Sequence, residues 1–293
     1  MNMNRFGDFM EPINLAPLLK AVLQLSKGQI AEEETANIGF SIRRAKEILK
    51  TLDQIRLAKK VGDKYELTDH GNILCSWIRD EKWFLIEEYL NESYQPYSRL
   101  KDVVKKWYEI GHEEGIPENE LRTFEKKLVE EGQFKETLLK NAVRINFLRD
   151  WGERLGGVME NKLSNPIRLY LLSQQKHSQN EYTLLKTPYL RLAGRGLGEK
   201  YHLPIPWFRE HACEFLRITR DSFDLMITTL LSERPTCIRL FRAPETTIAV
   251  KGPGIRRIVY RNEDIVEAEL SPLYGLKVNN DIYYYVHLEV NML

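Results

Sequence analysis

The chain has 293 residues, with 43 Lys+Arg against 42 Asp+Glu, 43% hydrophobic and 29% charged. That length predicts two or three domains, and the apolar content excludes long disorder. A formal charge of +1 excludes a uniformly basic nucleic-acid coat and leaves local patches as the feature to look for.

The first predicted unit runs over 11–92. Leu15, Leu18, Leu19, Val22 and Leu23 repeat at i, i+3, i+4, i+7 and i+8, the spacing of one buried helical face, and Gly28 stops that helix. Gln29–Thr35 reads as a short acidic helix, and Asn37 and Gly39 as a turn. Ser41 is the expected N-cap of the next helix. There Ile42, Ala45, Leu49 and Leu52 share one face, and Arg43, Lys46 and Lys50 lie within about 60° of one another on the other. Gly62-Asp63 between two strand-like runs predicts a hairpin, with Lys59, Lys60 and Lys64 on its strands. Thr68 is expected to cap a further helix with Ile73, Leu74, Trp77 and Ile78 inward.

The order helix, short helix, turn, basic helix, two-stranded wing, helix resembles the winged-helix variant of the helix-turn-helix superfamily. Tyr65-Glu66-Leu67-Thr68-Asp69-His70-Gly71 carries the resemblance best, which covers about a quarter of the chain. It implies that the basic helix enters the major groove of duplex DNA, where Arg and Lys reach guanine edges or phosphates. The wing lysines would then touch backbone, setting position but not sequence.

The second predicted unit runs over 93–172. Ser98 caps a helix with Leu100, Val103, Val104 and Trp107 inward, and Pro117 stands at N1 of the next. That next helix is marked by Leu121, Phe124 and Leu128, and a third, ending in Gly152 and Gly156-Gly157, by Ala142, Ile145, Leu148 and Trp151. Strand-like Val158 and Ile167–Leu172 follow. Two readings stay open: a second, degenerate winged helix, or a helical bundle that packs against the first unit. The third predicted unit, 173–293, opens on a polar linker, 174–180. Helices are expected near Pro206–Leu216 and, capped by Thr219, over Asp221–Leu231. Strands are expected at 237–241, 246–250, 255–260, 265–270, 276–278 and 282–290. This part reads as a third winged helix with an enlarged sheet or as a separate α+β domain. No repeat is strict enough to define an array. The fold class is therefore α+β: mainly helical, tandem winged-helix-like units with a C-terminal α+β domain of antiparallel strands.

Charge is local. From Ser41 to Lys64, Arg43, Arg44, Lys46, Lys50, Arg56, Lys59, Lys60 and Lys64 face only Glu47, Asp53 and Asp63. From Arg234 to Arg261, seven cations face Glu245 alone. Patches of this size can drive DNA binding by counterion release. The candidate DNA-binding residues are Ser41, Arg43, Arg44, Lys46, Lys50, Lys59, Lys60 and Lys64. Lys251, Arg256 and Arg257 form a candidate second nucleic-acid contact, with edge-strand protection as the competing reading.

Catalytic and metal signatures are missing from the sequence. Gly194-Arg195-Gly196-Leu197-Gly198 lacks the P-loop ending and the dinucleotide spacing. His211 and Cys213, two apart on a helix, point to different faces. No Lys follows Glu267 or Glu269 at the spacing of a metal-dependent nuclease, and no nucleophile elbow occurs. Three isolated cysteines fit a reducing compartment without disulfides. No stretch approaches about 18 apolar residues, and 1–10 is not a secretory signal. The expectation is a cytoplasmic, non-enzymatic protein without cofactor or metal, binding double-stranded DNA as a transcriptional regulator, itself an oligomer or part of a larger complex. The alternative is an adaptor or nucleic-acid-recognition subunit of such a complex, in replication or in defence against foreign DNA.

Overall fold

The computed structural model describes residues 13–31, 41–172, 181–194, 202–242, 255–270, 275–279 and 281–290. The expected turn at Asn37 and Gly39, the strand at 246–250 and the linker at 174–180 lie outside them. Helices alternate with small antiparallel sheets, an α+β chain. It divides into two compact units: Met1–Val103, Glu120–Val158 and Arg256–Ala268 in the first, and Val104–Asn119, Met159–Ile255 and Glu269–Leu293 in the second.

Three stretches of the chain share a strand-pairing pattern. The first pass is α1 (Leu15–Leu25), β1 (Ile30–Ala31), α2 (Ile42–Gln54), β2 (Ala58–Val61) and β3 (Lys64–Leu67), followed by α3 (Asp69–Arg79) and α4 (Trp83–Ser93). The second is α5 (Gln95–Glu109), β4 (Ile116–Pro117), α6 (Leu121–Glu130), α7 (Ala142–Leu155), β5 (Met159–Asn161) and β6 (Arg168–Tyr170). The third is α8 (Glu181–Gly194), β7 (Leu203–Pro204), α9 (Ile205–Leu216), α10 (Arg220–Glu233) and β8 (Ile238–Phe241). After β9 (Ile255–Arg261), β10 (Asp264–Leu270), β11 (Leu276–Val278) and β12 (Asp281–Tyr283), it closes with β13 (Tyr285–Leu288). In each pass the first strand pairs with the last and the middle strand flanks it on the other side: β1-β3-β2, β4-β6-β5 and β7-β13-β8. All six of these pairings are antiparallel.

Local chemistry accounts for the first pass. Leu15, Leu18, Leu19 and Val22 of α1 are at most 1% exposed, each contributing about 1.5–3 kcal/mol by leaving water. The Ser41 hydroxyl accepts the Arg44 amide at 3.3 Å, and that of Thr68 accepts the Gly71 amide at 3.2 Å. Both satisfy amides that a helix start leaves open. Gly62 turns the β2–β3 hairpin at φ 65°, a region side chains avoid. Gly71 has a different reason: a Cβ there would lie 2.0 Å from the Leu57 carbonyl oxygen. The glycine three residues after Thr68 therefore lets α3 cross the chain entering the hairpin.

Elsewhere in the first unit, the buried Trp151 donates its indole N–H to the Ile13 carbonyl at 2.9 Å. Around it lie the rings of Tyr94, Tyr97 and Phe147, 5.6–6.2 Å away. Burial pushes the Tyr94 phenol up to about 12. The buried Glu125 accepts the amides of Leu138 and Leu139 and the Arg99 guanidinium, which ties the segment before α7 to α6. The second unit has its own core, centred on Tyr189, Phe208 and Phe223, whose rings meet edge-on at 5.5 and 5.1 Å.

Several expectations need correction. Ile42 and Ile73 are about half exposed; Ile42 is the first residue of α2, where the helix overhangs its core. Gln29–Thr35 does not start as a helix, because Ile30 and Ala31 pair with Tyr65 and Lys64; 32–40 lies outside the described residues. Ser98 sits inside α5, which starts at Gln95. Pro117 lies on β4 opposite Arg168 rather than at a helix start; an edge strand tolerates the missing N–H. Of the glycines expected to end the third helix of the second unit, Gly152 lies inside α7, and Gly156 at φ 80° ends it after Leu155. The single strand expected over 282–290 is two, β12 and β13.

Candidate nucleic-acid interface

Helix α2 presents its cations as the spacing predicts. Ala45, Leu49 and Leu52 are at most 1% exposed, joined by Ile48, while Ser41, Arg43, Lys46 and Lys50 are exposed and Arg44 is half-buried. The line of charge is not bare. Glu47, one turn after Arg43, accepts its Nε at 3.1 Å and the Arg44 guanidinium at 3.2 Å. Burial alone would raise the Glu47 carboxyl, but the hydrogen bonds and charges of the two arginines outweigh it and hold it below its ordinary value. Glu47 thus stays ionised and offsets part of the positive field. Sequence counting recorded it as one acid among several; only the i−3 and i−4 spacing to Arg44 and Arg43 signals the pairing.

The hairpin carries a second layer. Lys59, Lys60 and Gly62 are exposed, and Lys64 is half-buried. Lys59 pairs with Glu66 at 2.9 Å, and Glu66 accepts the Gln29 amide at 2.7 Å. Those two bonds lower the Glu66 carboxyl, and the bond and charge of Glu66 raise the Lys59 ammonium. Lys60 stands over the Tyr65 ring at 5.6 Å. Since Ala31 on β1 pairs with Lys64, the end of the α1 turn, the sheet and the lysines form one local structure.

For the candidate second contact, Lys251 lies outside the described residues. Arg256 and Arg257 are on β9, and Arg256–Ala268 belongs to the same compact unit as α2 and its hairpin; their side chains are outside the description.

The helix that precedes the second strand of each pass differs in charge. Lysines are absent from α7 and α10, and the arginines of both turn inward. Arg144, Arg149 and Arg220 are buried, and the Arg154 side chain is 8% exposed against Asp150. Arg220 grips the buried Glu210 and the Glu160 carbonyl. In the second unit Glu214 accepts the Gly115 amide at 2.8 Å, the Asn161 amide at 2.6 Å and the Arg168 guanidinium. Burial outweighs these bonds and raises its carboxyl. Arg168 also reaches Glu114, and Arg191 reaches Glu113, beside an open cleft of about 510 Å³. No local spacing announces such pairs, because their members are tens of residues apart in sequence.

Cys75, Cys213 and Cys237 are free and buried, and burial holds the Cys213 thiol well up. Among the described residues no group of His, Cys, Asp and Glu could hold a metal ion, and no helix is long and apolar enough to cross a membrane. No protein-family model, curated protein or solved structure matches the chain.

Proposed function

We propose that the chain is a non-enzymatic, duplex-DNA-binding protein of winged-helix type, acting in the cytoplasm, whose reading head is α2 with the β2–β3 hairpin. One observation carries the reading: a Ser41-capped helix that buries Ala45, Ile48, Leu49 and Leu52 and exposes Arg43, Lys46 and Lys50 runs directly into a hairpin with exposed Lys59 and Lys60. A helix of about 10–12 Å diameter fits the major groove. The strand order β1-β3-β2 supports the resemblance, since it ties the hairpin back to the strand that follows α1. In this role Arg43, Lys46 and Lys50 face bases and phosphates, and Lys59, Lys60 and Lys64 hold the backbone on either side.

Of the two jobs open to such a head, transcriptional regulation and recognition within a larger complex, the second gains from the contrast between passes. Helices α7 and α10 turn their arginines inward, and Leu225 is 67% exposed on α10, so neither presents the cationic face that α2 does. We therefore favour a subunit that touches DNA through its first repeat and serves assembly through the other two. The test is titration of a fluorescent duplex with the wild type and with the triple variant Arg43→Ala, Lys46→Ala, Lys50→Ala. Loss of affinity with a flatter salt dependence is expected, and an unchanged salt slope overturns the reading.

A further inference from the structure

We propose that Lys20 and Lys27 are a second phosphate contact of the DNA-binding unit, occupied in the free protein by two carboxylates of the β9–β10 hairpin. The proposal rests on the DNA reading of α2 and its hairpin. The Asp264 carboxylate accepts the Lys20 ammonium at 3.0 Å, and Glu263 lies 3.7 Å from that of Lys27. Both acids sit at the tip of the hairpin, where Asn262 and Glu263 take φ 50° and 60°, the left-handed pair of a two-residue turn.

Three observations make this more than a surface ion pair. First, the hairpin has its own anchors. Ile258 and Ile265 are 3% and 1% exposed, and the Tyr260 amide donates to Glu81 at 2.9 Å, so the tip acids are not what holds it. Second, the pairs are open to exchange. The side chains of Lys20 and Asp264 are 33% and 52% exposed, and those of Lys27 and Glu263 53% and 80%. Exposed pairs of this kind are weak, and a phosphate oxygen can replace a carboxylate oxygen on a lysine without rearrangement of the backbone. Third, Lys27 is next to the hairpin that the DNA reading uses. Two residues on, Gln29 binds Glu66, which holds Lys59. A duplex engaged by Lys59 therefore brings its phosphates toward the cation that Glu263 occupies.

The experiment is a thermodynamic cycle on the full chain, read by anisotropy of a fluorescent duplex. An exposed pair at the usual strength corresponds to about 1.4- to 5-fold in an equilibrium constant. Glu263→Gln with Asp264→Asn is therefore expected to tighten binding by about 2- to 30-fold. Lys20→Ala with Lys27→Ala is expected to change little in the wild-type background and to abolish most of that gain in the acid-free one. The control is Glu120→Gln with Glu130→Gln, two exposed carboxylates of the same unit, which is expected to leave affinity nearly unchanged. Equal tightening by the control, or an equal cost of the lysine substitutions in both backgrounds, overturns the proposal. Failure of the wild type to bind any duplex is a separate result and refutes the DNA reading beneath it.

Discussion

Replacing Arg43, Lys46 and Lys50 by alanine gives the most decisive number. All three are exposed on α2, so their loss opens no cavity, and alanine is the best helix former. The fold should survive; the Arg43–Glu47 pair, which is lost, is worth about 0.3–0.5 kcal/mol. Each phosphate neutralised by a cation adds about 0.9 to the slope of log K against log salt. If all three cations touch phosphate, the slope falls by about 2.7, and the variant loses about 40-fold less affinity than the wild type between 50 and 200 mM salt. If Arg43 stays with Glu47, the change is about 1.8 and about 12-fold. Anisotropy titrations across that salt range separate these values. A slope equal to the wild type, with circular dichroism showing an intact fold, would refute the assignment of α2 as the reading head.

Other expectations follow from the same geometry. Glu47→Gln releases Arg43 and Arg44 and should tighten duplex binding while steepening its salt dependence; weaker binding in the same titration would mean that Glu47 holds the arginines in their working pose. Thr68→Ala removes the cap on Gly71 and a 2.6 Å bond to the Arg56 carbonyl, and should cost about 1–2 kcal/mol in urea unfolding. Trp151→Ala should cost about 3–5 kcal/mol in the same measurement, whereas Leu225→Ala at an exposed site should change stability by less than about 0.5 kcal/mol. Glu214 gives a pH signature. Its carboxyl is raised on folding, chiefly by burial, so the folded chain holds that proton more tightly than the unfolded one, and stability from this group falls as pH rises from the ordinary carboxylate value through the raised one. The melting temperature of the wild type minus that of Glu214→Gln should thus be most favourable below the ordinary carboxylate range and shrink as pH rises above it. A difference that grows with pH would show that the Arg168 pairing outweighs burial.

What could be read from the sequence was local. The Ser41 and Thr68 caps, the amphipathic α2 and the Gly62-Asp63 turn each announce themselves within a few residues, and the first helix and hairpin lie where their patterns put them. Strands of two residues, such as β1, β4 and β7, are too short to show an alternation, which is why Pro117 was expected in a helix. Helix α4 opens on the run Trp83-Phe84-Leu85-Ile86, with Ile86 buried and Phe84 60% exposed, so its apolar residues trace no single stripe. Helix α8 carries Pro188 inside it. The threefold strand order was hidden for a different reason. It is a property of pairing between distant segments, and the three passes fill equivalent places with unlike residues: Lys46 and Lys50 face solvent on α2, whereas α7 and α10 hold their arginines inside. At the candidate interface the exposed cations were legible, but the carboxylates that answer them were legible only where a helical turn brings them close, as at Glu47. Glu66 and Asp264 come from other strands, and Glu263 from the turn before β10.

Strands β8 and β13 meet with Phe241 opposite Tyr285, although residues 242–284 intervene. Once two chain ends are held side by side by a ladder, lengthening the segment between them costs only a slowly growing entropy, about 0.6 kcal/mol per doubling. The third sheet is thus a natural port for foreign sequence. Lengthening the segment with an unrelated module should leave the Tyr189–Phe208–Phe223 core intact, whereas trimming it to a tight reverse turn would strip Leu276 from that core and the buried Ile258 and Ile265 from the first unit.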